Sequence, residues 1–136
     1  MLSTTALDEF GRRYAAAWCS QVPERLAAHF SEAGSLRVNA DDAAVGRSAI
    51  AEVARGFMTA FPDMRVALDE VVAQPEGTVF RRTLTGTNTG PGGTGHRVCI
   101  SGYEVWQFDD RGLIAESKGH FDAADYARQL QHGAGV

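Results

Sequence analysis

Apolar residues recur every three or four positions in the first part of the chain, which is the spacing of one helical face. With Thr5 as the expected N-cap, the first such segment is a helix whose inner side carries Leu7, Phe10, Tyr14, Ala17 and Trp18. Pro23 suits the first turn of a second, short helix, because that turn leaves backbone N–H groups unpaired in any case. This second helix directs Leu26, Ala27 and Phe30 inward.

A third helix is predicted after a brief strand at 35–39, where Leu36 and Val38 alternate with polar neighbours. Ser48 is placed to cap this helix, and Pro62 ends it because proline cannot continue the helical hydrogen bonds. The apolar stripe of the helix consists of Ile50, Val53, Ala54, Phe57 and Phe61. Three helical segments therefore precede the main strands.

After Pro62 the pattern changes to extended segments separated by turn residues. Strands are predicted at 64–73, 78–88, 97–108 and 113–121. The last two are joined by a tight turn ending in Gly112, a residue suited to the left-handed position of a hairpin. Asp122 then opens a final helix, which Gly133 ends.

This order of elements favours helices on one side of a largely antiparallel sheet. We predict an α+β domain in which a strongly curved antiparallel or mixed sheet wraps around the three N-terminal helices. The sheet and helices would form a cone-shaped barrel with an internal cavity, and a short C-terminal helix would follow. The whole chain, 1–136, is expected to be a single domain.

The composition is that of an ordinary globular protein, with 44% hydrophobic and 22% charged residues. A net charge of −4 and scattered arginines argue against a nucleic-acid partner, which requires clustered positive charge. Cys19 and Cys99 are isolated, which argues against a disulfide framework or a metal site. Neither a leader pattern nor a membrane-spanning apolar run is found. We therefore expect a cytoplasmic protein without a membrane partner.

The order of elements and several local motifs resemble a known family. The motifs are the runs 86–90, 93–95, 102–108 and 112–116, Phe61-Pro62-Asp63 after the third helix, and Asp122 with Gln129-Leu130. Together they resemble the SnoaL-like polyketide cyclases. This group belongs to the nuclear-transport-factor-2-like superfamily, whose cone fold is shared by ketosteroid isomerases and limonene epoxide hydrolases. The resemblance covers nearly the whole chain and is more specific for the fold than for the reaction.

The resemblance to SnoaL-like cyclases implies an aldol ring closure on a polyketide ester without metal or cofactor. The family uses an aspartate as general acid/base with a histidine nearby, an arrangement that Asp122 and His120 match. Many relatives have a histidine where this chain has Asn88, so that imidazole is missing here.

Comparison with the other two enzyme groups is less favourable. Tyr14 matches the oxyanion tyrosine of the isomerases, and Glu104 approximately matches their second, protonated carboxyl donor. The isomerase base falls near Val38 or Asn39, neither of which abstracts a proton, and this argues against steroid isomerisation. Gly119 falls about where the epoxide hydrolases carry a working aspartate.

Asp122 and His120 each have a structural alternative to a catalytic role. Asp122 can act as the N-cap of the last helix, or it can lie buried against the cavity as a proton-transferring acid. Strand alternation places His120 on the same face as Glu116, Lys118 and Asp122. That face could line the cavity, or it could be solvated with the intervening residues turned towards the helices.

Glu104 also has two interpretations. Opposite Lys118 it would form an ion pair, which we favour slightly, and otherwise it would be a protonated carboxyl donor in the cavity. Arg82 could bind an anionic substrate, but a surface or interface role is favoured. The remaining candidates for substrate binding are Tyr14, Trp18, Asn39, Phe57, Phe61, Tyr103 and Trp106. For the aromatic residues among them, packing in the core is the commoner role.

The resulting hypothesis is a cofactor-independent acid/base enzyme acting on a small hydrophobic carbonyl compound, by a cyclase-like or isomerase-like reaction. Asp122 would move the proton, His120 would assist, and Tyr14 or Glu104 would stabilise negative charge on oxygen. The protein is expected to be a homodimer through an apolar outer face of the sheet. The alternative is a non-catalytic small-molecule-binding or dimerisation module. An accessory domain whose cone is filled by Trp18, Phe57, Phe61 and Trp106 is a third possibility.

Overall fold

The computed structural model describes residues 3–134. This part of the chain contains four helices and six strands. The helices are α1 (Thr4–Cys19), α2 (Pro23–Ala27), α3 (Arg47–Ala60) and α4 (Ala123–His132). The strands are β1 (Phe30–Val38), β2 (Ala44–Val45), β3 (Arg65–Gln74), β4 (Gly77–Thr87), β5 (Arg97–Phe108) and β6 (Ile114–Phe121). The predicted sequence of helices and long strands is thus present.

One mixed sheet with the strand order β2-β1-β6-β5-β4-β3 forms the body of the protein. Only β1 and β6 pair in parallel, and the other neighbours are antiparallel. Register shifts interrupt the β1–β6, β3–β4 and β5–β6 pairs, and irregularities of this kind bend a sheet. Helix α1 packs against β3 near one edge and α3 against β1 near the other. The predicted α+β fold class is therefore confirmed.

Several predicted boundaries differ from the structure. Helix α1 is capped by Ser3, whose Oγ accepts a hydrogen bond from the N–H of Ala6, and not by Thr5. Helix α3 follows Gly46 at φ 91°, so Ser48 is not its cap. Phe30 begins β1 and does not belong to α2. Strand β1 is longer than predicted because it pairs with the distant strand β6, which a local pattern does not show.

A packed aromatic cluster fills one end of the cone. The Phe80 and Trp106 rings stack with their centroids 4.9 Å apart, and Tyr14 approaches Trp106 edge-on at 5.0 Å. All three side chains are almost completely buried, and Phe10 packs against Trp106 as well. Inward residues farther along the same strands surround a cavity instead. The cone thus has a closed aromatic end and a hollow end.

The outer face of the sheet is mixed, with polar residues beside apolar ones such as Val79, Tyr103 and Val105. It carries Arg81, Thr83, Ser101, Glu116, Lys118 and His120 on the three central strands. The exposed large hydrophobic residues of the described part are Val22 and Val45, outside these strands. A homodimer through this face stays a prediction.

Two further predictions concern the ends of the chain and the membrane. The prediction about a leader pattern concerns the start of the chain, where residues 1–2 lie outside the described residues. No helix within residues 3–134 is long and apolar enough to cross a membrane.

Asn88 holds the glycine-rich loop between β4 and β5 against the end of α3. Its Nδ2 donates to the carbonyl of Ala60 at 3.2 Å, and its Oδ1 accepts from the N–H of Thr94 at 2.8 Å. The side chain is buried, and the carbonyl of Ala60 also accepts from the N–H of Gly90 at 3.2 Å. At this position, where relatives often have histidine, the residue has a structural role.

We expect Asn88→Ala to lower the free energy of unfolding by about 1–3 kcal/mol, because the hydrogen bonds to Ala60 and Thr94 are both lost. The neighbouring exposed Thr89 is the control, and Thr89→Ala should change stability by less than about 0.5 kcal/mol. Urea unfolding followed by tryptophan fluorescence measures both values. Equal effects of the two substitutions would contradict the role assigned to Asn88.

Candidate functional site

A cavity of ≈ 50 Å³ lies between the helices and the inner face of the sheet. Its wall is mainly apolar and is formed by Trp18, Leu36, Val38, Phe57, Val66, Leu84, Ile100, Gly119, Phe121 and Tyr126. Two charged residues complete the wall, Glu104 from β5 and Arg82 from β4. An apolar pocket with few polar groups is the usual form of a small-molecule site. This cavity is therefore the candidate site.

Glu104 is held at the boundary between the aromatic cluster and the cavity. Its Oε1 accepts hydrogen bonds from the Tyr14 hydroxyl at 2.8 Å, the Trp106 indole N–H at 3.0 Å and the Ser117 hydroxyl at 2.7 Å. The residue is only 2% exposed. It lies opposite Gly119 of β6, whose missing side chain leaves space beside it. The carboxyl group is thus buried and fixed in orientation.

All three hydrogen bonds to Glu104 reach the same carboxyl oxygen, Oε1. Three donors on one oxygen match a carboxylate, which only accepts hydrogen bonds when ionised. Burial raises the pKa of the Tyr14 hydroxyl well above its usual range, and the negative charge of Glu104 raises it further. Tyr14 therefore stays a hydrogen-bond donor. Within residues 3–134, Oε2 of Glu104 has no hydrogen-bond donor, and Glu104 lines the cavity.

The predicted ion pair between Glu104 and Lys118 is wrong. The pair Phe108–Ile114 alone would place Glu104 opposite Lys118, but the register shifts after Gln107. Glu104 therefore lies opposite Gly119, and Lys118 projects from the outer face. There its Nζ is 4.0 Å from a carboxylate oxygen of Glu116.

Asp122 and His120 lie outside the cavity that we expected them to line. Asp122 is exposed and caps α4, with its Oδ1 accepting from the N–H of Asp125 at 3.0 Å. His120 points to the outer face, where its ring is 4.9 Å from that of Tyr103. Strand alternation sends Gly119 and Phe121 inward instead, which is the solvated alternative stated above.

Four predicted site residues share an open groove on the outer face. Asn39, Tyr103, His120 and Asp122 border this groove, which has a volume of ≈ 500 Å³. The side chain of Asn39 is held in place by a hydrogen bond, in which its Oδ1 accepts from the N–H of Phe121 at 2.9 Å. Asn39 and Tyr103 are thus also outside the cavity.

The other predicted residues divide between the cavity and the core. Trp18, Phe57 and Glu104 line the cavity, whereas Tyr14, Phe61 and Trp106 are fully packed. Tyr14 and Trp106 nevertheless act at the site through their hydrogen bonds to Glu104.

Arg82 is the charged residue that sequence reasoning placed wrongly, at a surface or interface. It faces inward between Phe80 and Leu84 on β4, and this alternation was the signal that could have located it. No group of three or more possible metal-binding side chains occurs in the described part of the chain.

Tyr14→Phe should lower the free energy of unfolding by about 1.5–3 kcal/mol, the usual range for a hydrogen bond to a charged group. Tyr103→Phe is the matched control, because the Tyr103 side chain lies on the outer face. It should change stability by less than about 0.5 kcal/mol. Urea unfolding at neutral pH measures the difference, and an unchanged value for Tyr14→Phe would contradict the buried network.

Known proteins provide an independent comparison. The model of the SnoaL-like polyketide cyclase family matches residues 9–130. The structure of TsrD from Streptomyces laurentii is 20% identical, with a TM-score of 0.80 over 96% of this chain and 98% of that one. A Catenulispora acidiphila protein with a ketosteroid isomerase-like fold, solved in complex with trimethylamine, is 14% identical, with a TM-score of 0.77 over 90% and 92%.

A third solved structure is SalBIII, an epoxide hydrolase/cyclase-like enzyme in pyran ring formation in the polyether salinomycin. It is 17% identical, with a TM-score of 0.77 over 92% of this chain and 97% of that one. No curated protein matches the chain. The solved structures show the nuclear-transport-factor-2-like cone fold, and the match over residues 9–130 shows that the chain belongs to the SnoaL-like polyketide cyclase family.

Proposed function

We propose that the protein is a cofactor-independent acid/base enzyme that acts on a small hydrophobic carbonyl compound. The reaction would be of the polyketide cyclase or isomerase type. The observation that carries this proposal is the Glu104 carboxylate, fixed through Oε1 while Oε2 is without a protein donor at the wall of an apolar cavity.

Glu104 would act as the base. Its Oε2 takes a proton from the carbon next to the carbonyl group, and the electrons of the broken C–H bond form an enolate. The three hydrogen bonds to Oε1 keep the carboxylate in one orientation, which favours a short and direct proton transfer. In a ring closure the enolate carbon then attacks a second carbonyl carbon, and the alkoxide that forms takes back the proton from Glu104. In an isomerisation the enolate is reprotonated by Glu104 at another position.

The surroundings of Glu104 support this chemistry. The largely apolar wall limits the access of water, and electrostatic interactions are stronger where water is excluded. Arg82 provides positive charge on the same wall, which would stabilise the negative charge that develops on the substrate oxygen. Tyr14, the other candidate for stabilising this charge, donates its hydroxyl hydrogen to Glu104 instead.

Two other assignments are tested alongside this one. The open outer groove of ≈ 500 Å³, which His120 and Asp122 border, would be the site if those residues transfer the proton. A non-catalytic binding module of the same fold would use the same apolar cavity without proton transfer. The three assignments make different predictions for the same variants.

The test is hydrogen–deuterium exchange at the carbons next to a ketone, measured by NMR in D₂O. The probes are 4-oxopentanoate and its methyl ester, which differ only in charge. We expect the protein to accelerate exchange of at least one probe above the buffer rate. Glu104→Gln should lower that acceleration by about 100-fold or more, the usual contribution of a general base. Asp122→Asn should leave it unchanged, because asparagine also caps a helix.

Loss of exchange in Asp122→Asn with retention in Glu104→Gln would overturn the assignment and favour the outer groove. Absence of acceleration with both probes, together with binding of either, would favour the binding module. Urea unfolding of both variants establishes that they are folded under the conditions of the assay.

A further inference from the structure

Arg82 is a cation placed inside the cone. It lies on β4 between the inward-facing Phe80 and Leu84, and it lines the cavity together with Glu104. Its strand neighbours are Leu68 on β3 and Gly102 on β5. Arginine side chains seldom point into an apolar interior unless a hydrogen-bonding or oppositely charged partner is present there.

The glycine opposite Arg82 makes this orientation possible. A Cβ atom at residue 102 would collide with Nη1 of Arg82 and with the backbone carbonyl of His120. The guanidinium group therefore lies over the space that a side chain at Gly102 would occupy. The inward orientation of Arg82 is thus possible because the residue opposite it on the next strand has no side chain.

Nη1 of Arg82 lacks a partner within the protein. Among the buried side-chain nitrogen and oxygen atoms of residues 3–134, Nη1 is the one that has no hydrogen-bond partner. Arg82 also takes part in none of the ion pairs of the described chain, and Oε1 of Glu104 is occupied by its three donors. Buried polar groups are nearly always paired, so this atom points to an acceptor that a ligand supplies.

We propose that the substrate carries a carboxylate group, and that Arg82 binds it. This inference rests on the proposed function and narrows the carbonyl compound to a small oxo acid. The planar guanidinium group is matched in shape and charge to a carboxylate, which it binds through two parallel hydrogen bonds. The apolar side chains of Leu36, Val66 and Ile100 would contact the carbon chain.

The size of the cavity sets the size of the ligand. A dry cavity of about 150 Å³ holds a benzene molecule, and the cavity here is ≈ 50 Å³. The cavity therefore encloses only a few atoms of a small acid, and the rest of a ligand such as 4-oxopentanoate would extend through the open side of the cavity. The carbon next to the ketone would face Glu104, as the proposed proton abstraction requires.

Glu104 and the bound carboxylate would repel each other, since both are negative and share a small cavity. Glu104→Gln removes this repulsion while keeping an acceptor for Tyr14, Trp106 and Ser117. The variant should thus bind the acid more tightly than the wild type does. A variant that loses proton transfer but gains affinity would separate the two roles.

The test compares 3-methylbutanoate with 3-methylbutanamide, which have the same shape but differ in charge. Titration followed by two-dimensional NMR should show that the wild type binds the acid at least about tenfold more tightly than the amide. Arg82→Gln should abolish that preference. Arg37→Gln is the matched control, because Arg37 is exposed on β1, and it should keep the preference.

Equal binding of the acid and the amide by the wild type would overturn the proposal. So would a preference that survives in Arg82→Gln, because it would show that another group selects the acid. Should Arg82→Gln fail to fold, the wild-type comparison and the gain of affinity in Glu104→Gln still decide the matter. Failure of the proposed function would be a separate result. In that case hydrogen–deuterium exchange would not depend on Glu104, whereas binding of the acid would still depend on Arg82.

Discussion

The site depends on one interaction, the capture of the Glu104 carboxylate by three donors from three different elements. Tyr14 comes from α1, Trp106 from β5 and Ser117 from β6, and all three donate to the same oxygen. A buried carboxylate without such partners would be strongly destabilising. The network therefore makes it possible to have a charge at this depth, and it also joins the first helix to the centre of the sheet. On one side of it the aromatic cluster is closed, and on the other side the cone is hollow.

A second constraint is the position of two glycines. Glu104 lies opposite Gly119, and Arg82 lies opposite Gly102. In each case a charged side chain that points into the cone faces a residue without a side chain on the adjacent strand. Close-packed interiors have little spare volume, so a large polar group needs such a gap. The two pairs together explain how a mainly apolar cavity comes to have one negative and one positive residue in its wall.

Much of the fold could be predicted from the sequence, because helical and strand periodicities are local. The stripe of α1 and the limits of β5 are examples, since neither depends on which strand lies beside them. The site was harder, because it depends on register. One shifted residue after Gln107 decides whether Glu104 faces Lys118 or Gly119. His120 and Asp122 matched a family motif by position, but the motif does not state which face of the strand end is turned inward. Alternation along β4 did contain the signal for Arg82.

Binding of small acids between Arg82 and Glu104 is the inference that joins the two charged residues of the cone into one site. A crystal structure of the protein with 4-oxopentanoate tests it most directly. We expect density that enters the cavity, with the carboxylate within about 3 Å of Arg82 Nη1 and the carbon next to the ketone facing Glu104 Oε2. Density in the outer groove beside His120 and Asp122, with the cavity unchanged, would contradict it.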